Sequence, residues 1–169
     1  MSQKHEFTPI PFRPAGPGEG IFPDDAPIRR VNRELVVAFS GARALLLQAA
    51  HPLMFEGFID RTSGMRDPHG RLARTATVMN TIYFGLREDA ERETARVRAV
   101  HARIRGTLPE PAGRYPRGTT FAADEPRHLL WTLAPLFESA EAAYRLYVGD
   151  LDRDERDALW RDYRVVGGL

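Results

Sequence analysis

The chain has 169 residues, of which 43% are hydrophobic and 28% charged, a balance that fits one soluble globular domain and excludes an intrinsically disordered chain. Its 24 basic residues are matched by 23 acidic ones for a net charge of +1, so the basic excess expected of a nucleic-acid-binding protein is missing. Cysteine is absent, which removes disulfides, Cys-ligated zinc, iron–sulfur clusters and a thiolate haem ligand.

Residues 1–27 are rich in proline and glycine, lack periodicity and lack the apolar stretch of a secretory signal, so they are expected to form an extended arm and the chain to be cytoplasmic. Lys4 is the only lysine, and the arginine preference reads as coding bias. From Ile28 the pattern turns helical, with Val31, Leu35 and Phe39 one turn apart and Arg29, Arg30 and Arg33 on other faces. After Gly41, "ARALLLQAAHPLMFEGF" is apolar almost all round and predicts a central helix packed on several sides, which Pro52 kinks or ends at His51. Arg43, Gln48 and His51 interrupt the apolar run from Leu35 to Phe55, so no transmembrane segment is expected there.

"DRTSGMRDPHG" reads as a loop, and "RLARTATVMNTIYFG" as a helix closed by Gly85. Arg71, Thr75, Val78 and Ile82 fall on one line of it, so a cation and a hydroxyl share a face with core residues. "REDAERETARVRAVHARIRG" predicts a further helix, acidic first and basic last as the helix dipole favours, with Gly106 as its stop. Ala90, Thr94, Val97, His101 and Ile104 lie on one face, which turns His101 inward. Residues 107–123 are turn-rich, with room for a short extended piece. Asp124 offers an N-cap for a helix to about Leu146, bent at Pro135, and a last helix begins near Asp152. No strand pattern or internal repeat stands out. The fold class is therefore all-α, an irregular multi-helix bundle.

The phosphate loop, the dinucleotide fingerprint, HExxH and the nucleophile elbow are all missing. What remains is a set of polar residues at apolar positions: His51, Arg71, Thr75 and His101. Taken singly, each has a structural explanation. An inward histidine bonds a carbonyl, Thr75 bonds its own helix backbone, and Arg71 reaches solvent from a helix start. His69 and His128 are expected at the surface. A histidine–carboxylate metal site at His51 and His101 lacks an accompanying acidic pattern.

Read together and in order, "RELVVAFSGARALLLQAAHPLMFEG", "RLARTATVMNTIYFG", "RVRAVHARIRG" and "FAADEPRHLLW" resemble the all-helical domain shared by rubber oxygenase (latex clearing protein) and the oxygenase MpaB. The resemblance runs from about Arg29 to Leu169 and gives a division into an arm, residues 1–27, and an oxygenase-like helical domain, residues 28–169. It implies a haem b cofactor held between helices and an O2-dependent reaction on a hydrophobic, isoprenoid- or lipid-like substrate. By position His101 is the axial iron ligand, Arg71 and Thr75 are the polar pair at the other haem face with a catalytic role, and His51 is a cofactor-side histidine of unassigned role.

The chain departs from that family at three places. Arg74 stands where rubber oxygenase has a lysine, and a guanidinium cannot act as a neutral amine ligand. Thr132 and Leu133 follow Trp131 where relatives read valine and histidine, and Pro135 replaces a helix-friendly residue. The resemblance implies further helices beyond Leu169, so an incomplete bundle is expected, with apolar faces exposed or covered by a second copy in a homodimer. The alternative reading is a non-catalytic helical binding or interaction protein, a truncated paralogue without haem.

Overall fold

A computed structural model describes residues 9–61 and 67–169. Its elements in chain order are α1 (Pro27–Asn32), α2 (Leu35–Ala38), α3 (Ser40–Ala49), α4 (Pro52–Arg61), α5 (Pro68–Phe84), α6 (Arg87–His101), β1 (Arg105–Thr107), β2 (Thr120–Ala122), α7 (Pro126–Tyr147) and α8 (Arg153–Gly168). The fold is all-α apart from the two short strands, which pair antiparallel with Gly106 opposite Phe121. Gly106 thus sits in β1, and α6 ends five residues earlier at His101. Among the described residues no helix is long and apolar enough to cross a membrane.

The main core gathers Ile28 and Val31 of α1, Ile82 and Tyr83 of α5, Phe137 of α7, and Leu159 and Tyr163 of α8. Inside it, the hydroxyl groups of Tyr83 and Tyr163 lie 3.4 Å apart, and Asn32 donates its amide to Tyr163. These buried polar atoms therefore keep partners. A smaller cluster of Leu53, Leu108 and Phe121 fixes α4 to the strand pair.

The helix expected from Ile28 through Phe39 is broken. Glu34 takes an extended conformation (φ −73°, ψ 124°), which restarts the chain as the separate α2. The turn moves later residues off the inward line: Val31 is buried, whereas Leu35 is 84% and Phe39 81% exposed. The central helix is likewise not enclosed on several sides. Within α3 only Ala44 is buried and Leu46 is 75% exposed, because α3 packs along α7 on one side while α4 leaves in a new direction at Pro52. The seam between α3 and α7 is stitched by Gln48 donating to the Thr132 carbonyl (2.7 Å) and Arg43 to the Ser139 hydroxyl (2.9 Å).

The arm, as far as it is described, lies on the α5–α6 corner. Ala15 N–H donates to the Phe84 carbonyl (2.9 Å), Arg87 N–H to the Glu19 carbonyl (2.9 Å), and Arg13 holds Asp89 (2.6 Å) and Glu88 (2.6 Å). Phe22 and Ala26 are buried in the core. Gly85 sits at this corner in extended backbone. A Cβ there would meet the Thr81 carbonyl oxygen at 2.6 Å, so close approach rather than a left-handed cap explains the glycine.

Asp124 does not cap α7. Its carboxylate is taken by Arg105 (2.6 Å), and Glu125 occupies the N-cap position without a side-chain bond, with Pro126 at the first turn. The helix then continues through Pro135 to Tyr147. Leu133 of α7 comes within 2.8 Å of where a Cβ on Gly167 of α8 would lie. Helix α8 opens with a full capping box: Asp152 accepts from Glu155 N–H (2.8 Å) and Glu155 accepts from Asp152 N–H (3.0 Å). Asp152→Ala is expected to cost about 1 kcal/mol, which in a chain of this size lowers the thermal midpoint by roughly 2–4 °C in a calorimetric scan.

Candidate active site

Helix α6 delivers His101 at its last residue, and α5 delivers Arg71 in its first turn, one turn after Asp67 caps it through Gly70 N–H (2.9 Å). Both side chains line one cleft of about 90 Å³. Its facing wall comes from Leu45 and Gln48 of α3, Met54 of α4 and Thr132 of α7, with Ile104 and Ala123 flanking the strand pair at its edge. Gly57 of α4 is also on the lining, and a Cβ there would meet Phe121 at 3.2 Å, so the α4 backbone runs against the hairpin.

The His101 ring has no hydrogen-bonding partner among the described residues. Burial lowers its pKa below the ordinary 6.5, the Arg71 charge pushes the same way, and Asp124 opposes more weakly. Its resting state near neutral pH is therefore the uncharged imidazole, the form that ligates metals. Arg71 is itself lowered to about 10 by burial and by the neighbouring Arg74, which leaves it a cation at neutral pH. Arg74 reaches back to Asp67 at 3.3 Å. Thr75 is exposed on α5 and is not part of the cleft lining, and His69 is exposed at the same helix's start.

His51 sits elsewhere, at the elbow between α3 and α4. Its Nε2 lies 3.2 Å from the Tyr115 hydroxyl, and its ring packs against Tyr115, His128 and Trp131 at centroid distances of 5.5, 5.6 and 5.2 Å. Its Nδ1 is buried with no partner among the described residues. Burial, then the charges of His128, Arg114 and Arg127, lower its pKa below 6.5. His128 is not at the surface. It is 2% exposed, with Nδ1 placed 2.7 Å from the Ala122 carbonyl and 3.3 Å from Glu125, because the α7 start is tucked against β2.

This imidazole–aromatic group backs the cleft wall rather than facing the cleft. Trp131 N–H donates to the Gln48 carbonyl (3.3 Å), and the Thr132 hydroxyl donates to the His128 carbonyl (2.9 Å) beside the Met54 sulfur (4.0 Å). The structure thus brings His101 and Arg71 together, sets His51 one layer behind, and leaves Thr75 outside. Gln48, Met54 and Thr132 are cleft residues that sequence reasoning missed. Gln48 alone carried a signal, as a polar interruption of an apolar run.

The family model of the catalytic domain of ER-bound oxygenase mpaB/B' and rubber oxygenase matches residues 28–169. The chain belongs to this oxygenase family. No curated protein and no solved structure matches it.

Among the described residues no three histidine or acidic side chains gather as a metal cage. A haem needs one protein nitrogen, and the His101 ring is the candidate the cleft offers. The donor chemistry fits: a neutral imidazole in a largely apolar cleft, with a guanidinium to meet an acidic substituent. The volume is tighter, since sites for ligands of this size run to about 300–1,000 Å³ and the cleft holds about 90 Å³. As it stands, the cleft is too small for that ring system.

The two lowered imidazoles also make a statement about pH. The unfolded chain takes up protons at His51 and His101 first as pH falls, because their folded values lie below 6.5. Their contribution to stability is complete above about pH 6.5 and declines as pH drops through that value toward the folded ones. Urea midpoints are expected to fall between pH 7.5 and 5.5, and the decline to flatten in a His51→Gln/His101→Gln double variant.

Proposed function

We propose that the chain is a haem b-dependent oxygenase domain acting with O2 on a hydrophobic, isoprenoid- or lipid-like substrate. The observation that carries this reading is the convergence of His101 and Arg71 on one cleft, inside residues that match an oxygenase catalytic domain. In it His101, at the end of α6, would hold the haem iron. A bound haem would supply the iron chemistry toward O2.

The remaining roles belong to the chain's own side chains. Arg71 offers a fixed positive charge to a carboxylate substituent of the cofactor or to developing negative charge in the cleft. Thr75, one turn further along α5, is exposed and outside the cleft lining, so the role on that helix falls to Arg71. Leu45, Met54 and Ile104 exclude water and offer the apolar surface a hydrocarbon needs. His51 keeps the α3–α4 elbow in register with α7 through Tyr115 and Trp131, and so positions Gln48 and Met54.

Adding hemin to the purified chain tests the proposal. The expected outcome is saturable uptake at one equivalent with a Soret band. The size of the cleft favours one rival, a non-catalytic helical binding protein without haem, for which hemin would show no saturable uptake.

A further inference from the structure

A hollow larger than the cleft opens over α7, about 480 Å³ in volume, which is within the range of small-molecule sites. It shares no lining residue with the cleft. Glu138, Glu141, Ala142, Arg145 and Leu146 form its floor, on one face of α7 because they recur at three- and four-residue steps. Arg43 borders it from α3, Arg156 from the first turn of α8, and Asp150 from the connection between α7 and α8.

Three guanidinium groups meet at this hollow, and a buried carboxylate lets two of them lie close together. Glu141, 5% exposed, holds Arg156 at 2.6 Å and Arg145 at 3.7 Å, so two cations share one anion. Asp150 also lies 3.8 Å from Arg145, but its side chain is 90% exposed and its charge is screened by water and salt. Arg43 is anchored differently. It donates to the buried Ser139 hydroxyl (2.9 Å) and makes no ion pair among the described residues. A guanidinium has several N–H donors, so most of those on Arg43 still lack a protein acceptor. Glu138, exposed at the edge of the floor, likewise makes no ion pair among the described residues.

We propose that this hollow binds a small organic anion, a carboxylate or phosphate monoester with an apolar body. Its head group lies on Arg43 and on the Arg145–Arg156 pair, because planar guanidinium groups match the oxygens of carboxylates and phosphates. Its body lies along Ala142 and the exposed Leu146, the apolar part of the same lining. Such a ligand ties α3 to α7 and α8, and so braces the α3–α7 seam that carries Gln48 and Thr132 into the cleft wall. The site stands apart from the oxygenase reading and needs no haem.

Titration calorimetry on the hemin-free chain, with hexyl phosphate and hexanoate as probes, tests the site. At least one should bind saturably at one equivalent, and the tighter of the two names the head group. At about ten times its Kd, that probe should raise the thermal midpoint by about 3–6 °C. Inorganic phosphate, which has no body to lay on Leu146, should bind about fivefold more weakly than hexyl phosphate. Hexylamine, with the same body and a cationic head, should not bind. Arg43→Gln should weaken binding about tenfold, the loss of one charge-assisted contact. Glu138→Gln removes a negative charge from the lining and should tighten binding about threefold, a gain that unfolding cannot produce. Arg103→Gln, on an exposed arginine outside the hollow, and Arg71→Gln, in the cleft, should change nothing. Absence of saturable binding by either anion, hexylamine binding as tight as theirs, an equal loss in Arg103→Gln, or a loss in Arg71→Gln would each overturn the proposal, the last by moving the anion to the cleft.

Discussion

Replacing His101 by alanine is expected to abolish the Soret band that one equivalent of hemin gives with the parent chain, while leaving the fold nearly intact. The ring is half-buried and makes no hydrogen bond among the described residues, so its removal strands no buried donor or acceptor. Alanine is also the residue a helix tolerates best at its last turn. The stability change should stay within about 1 kcal/mol, the range of substitutions that break no named interaction. Loss of the band would then report loss of ligation rather than loss of structure. Imidazole added to the buffer enters the space vacated by the side chain and should restore the band. Arg71→Gln provides the contrast: it leaves the axial nitrogen in place, so uptake should persist at reduced affinity. A band of unchanged intensity and position in His101→Ala would remove His101 from the iron and the proposed function with it.

What the sequence made legible depended on whether the deciding force was local. The start of α8 is written in Asp152 and Glu155, which satisfy each other within one turn, and the starts of α4 and α7 in Pro52 and Pro126. The inward turn of His101 follows from helical periodicity alone, and so does its meeting with Arg71 once α5 and α6 pack as neighbours. Leu35 and Phe39 were misread because periodicity assumes one straight helix, whereas a single extended residue, Glu34, resets the phase. His128 was misplaced for a different reason. It follows Pro126 and Arg127, which point to solvent at a helix start, but the residue that hides it is Ala122 on a strand whose pairing is a tertiary fact. Gln48, Met54 and Thr132 come from three helices, and only the packing of α3 on α7 and the elbow at His51 make them one wall.

The largest effect on stability is expected away from the cleft, at Leu159. This side chain is 0% exposed in the main core, on the face of α8 that also buries Tyr163. Polar contacts fix that face: Ile28 N–H donates to Asp162 (3.1 Å) and Arg30 to Glu155 (2.7 Å), so α8 cannot easily slide inward to fill a void. Leu159→Ala should therefore retain much of its cavity and cost about 2–5 kcal/mol, the range for buried leucines whose surroundings relax incompletely. At roughly 2–4 °C per kcal/mol for a chain of this length, the thermal midpoint should fall by about 4–20 °C. Leu146→Ala makes the same chemical change on an exposed side chain and should stay within about 0.5 kcal/mol. A loss below about 1 kcal/mol in Leu159→Ala would mean that α8 is not seated on α1 and α7 in solution. Because α7 also carries Thr132 into the cleft wall, an unseated α8 would leave that wall without the support that holds it against α3.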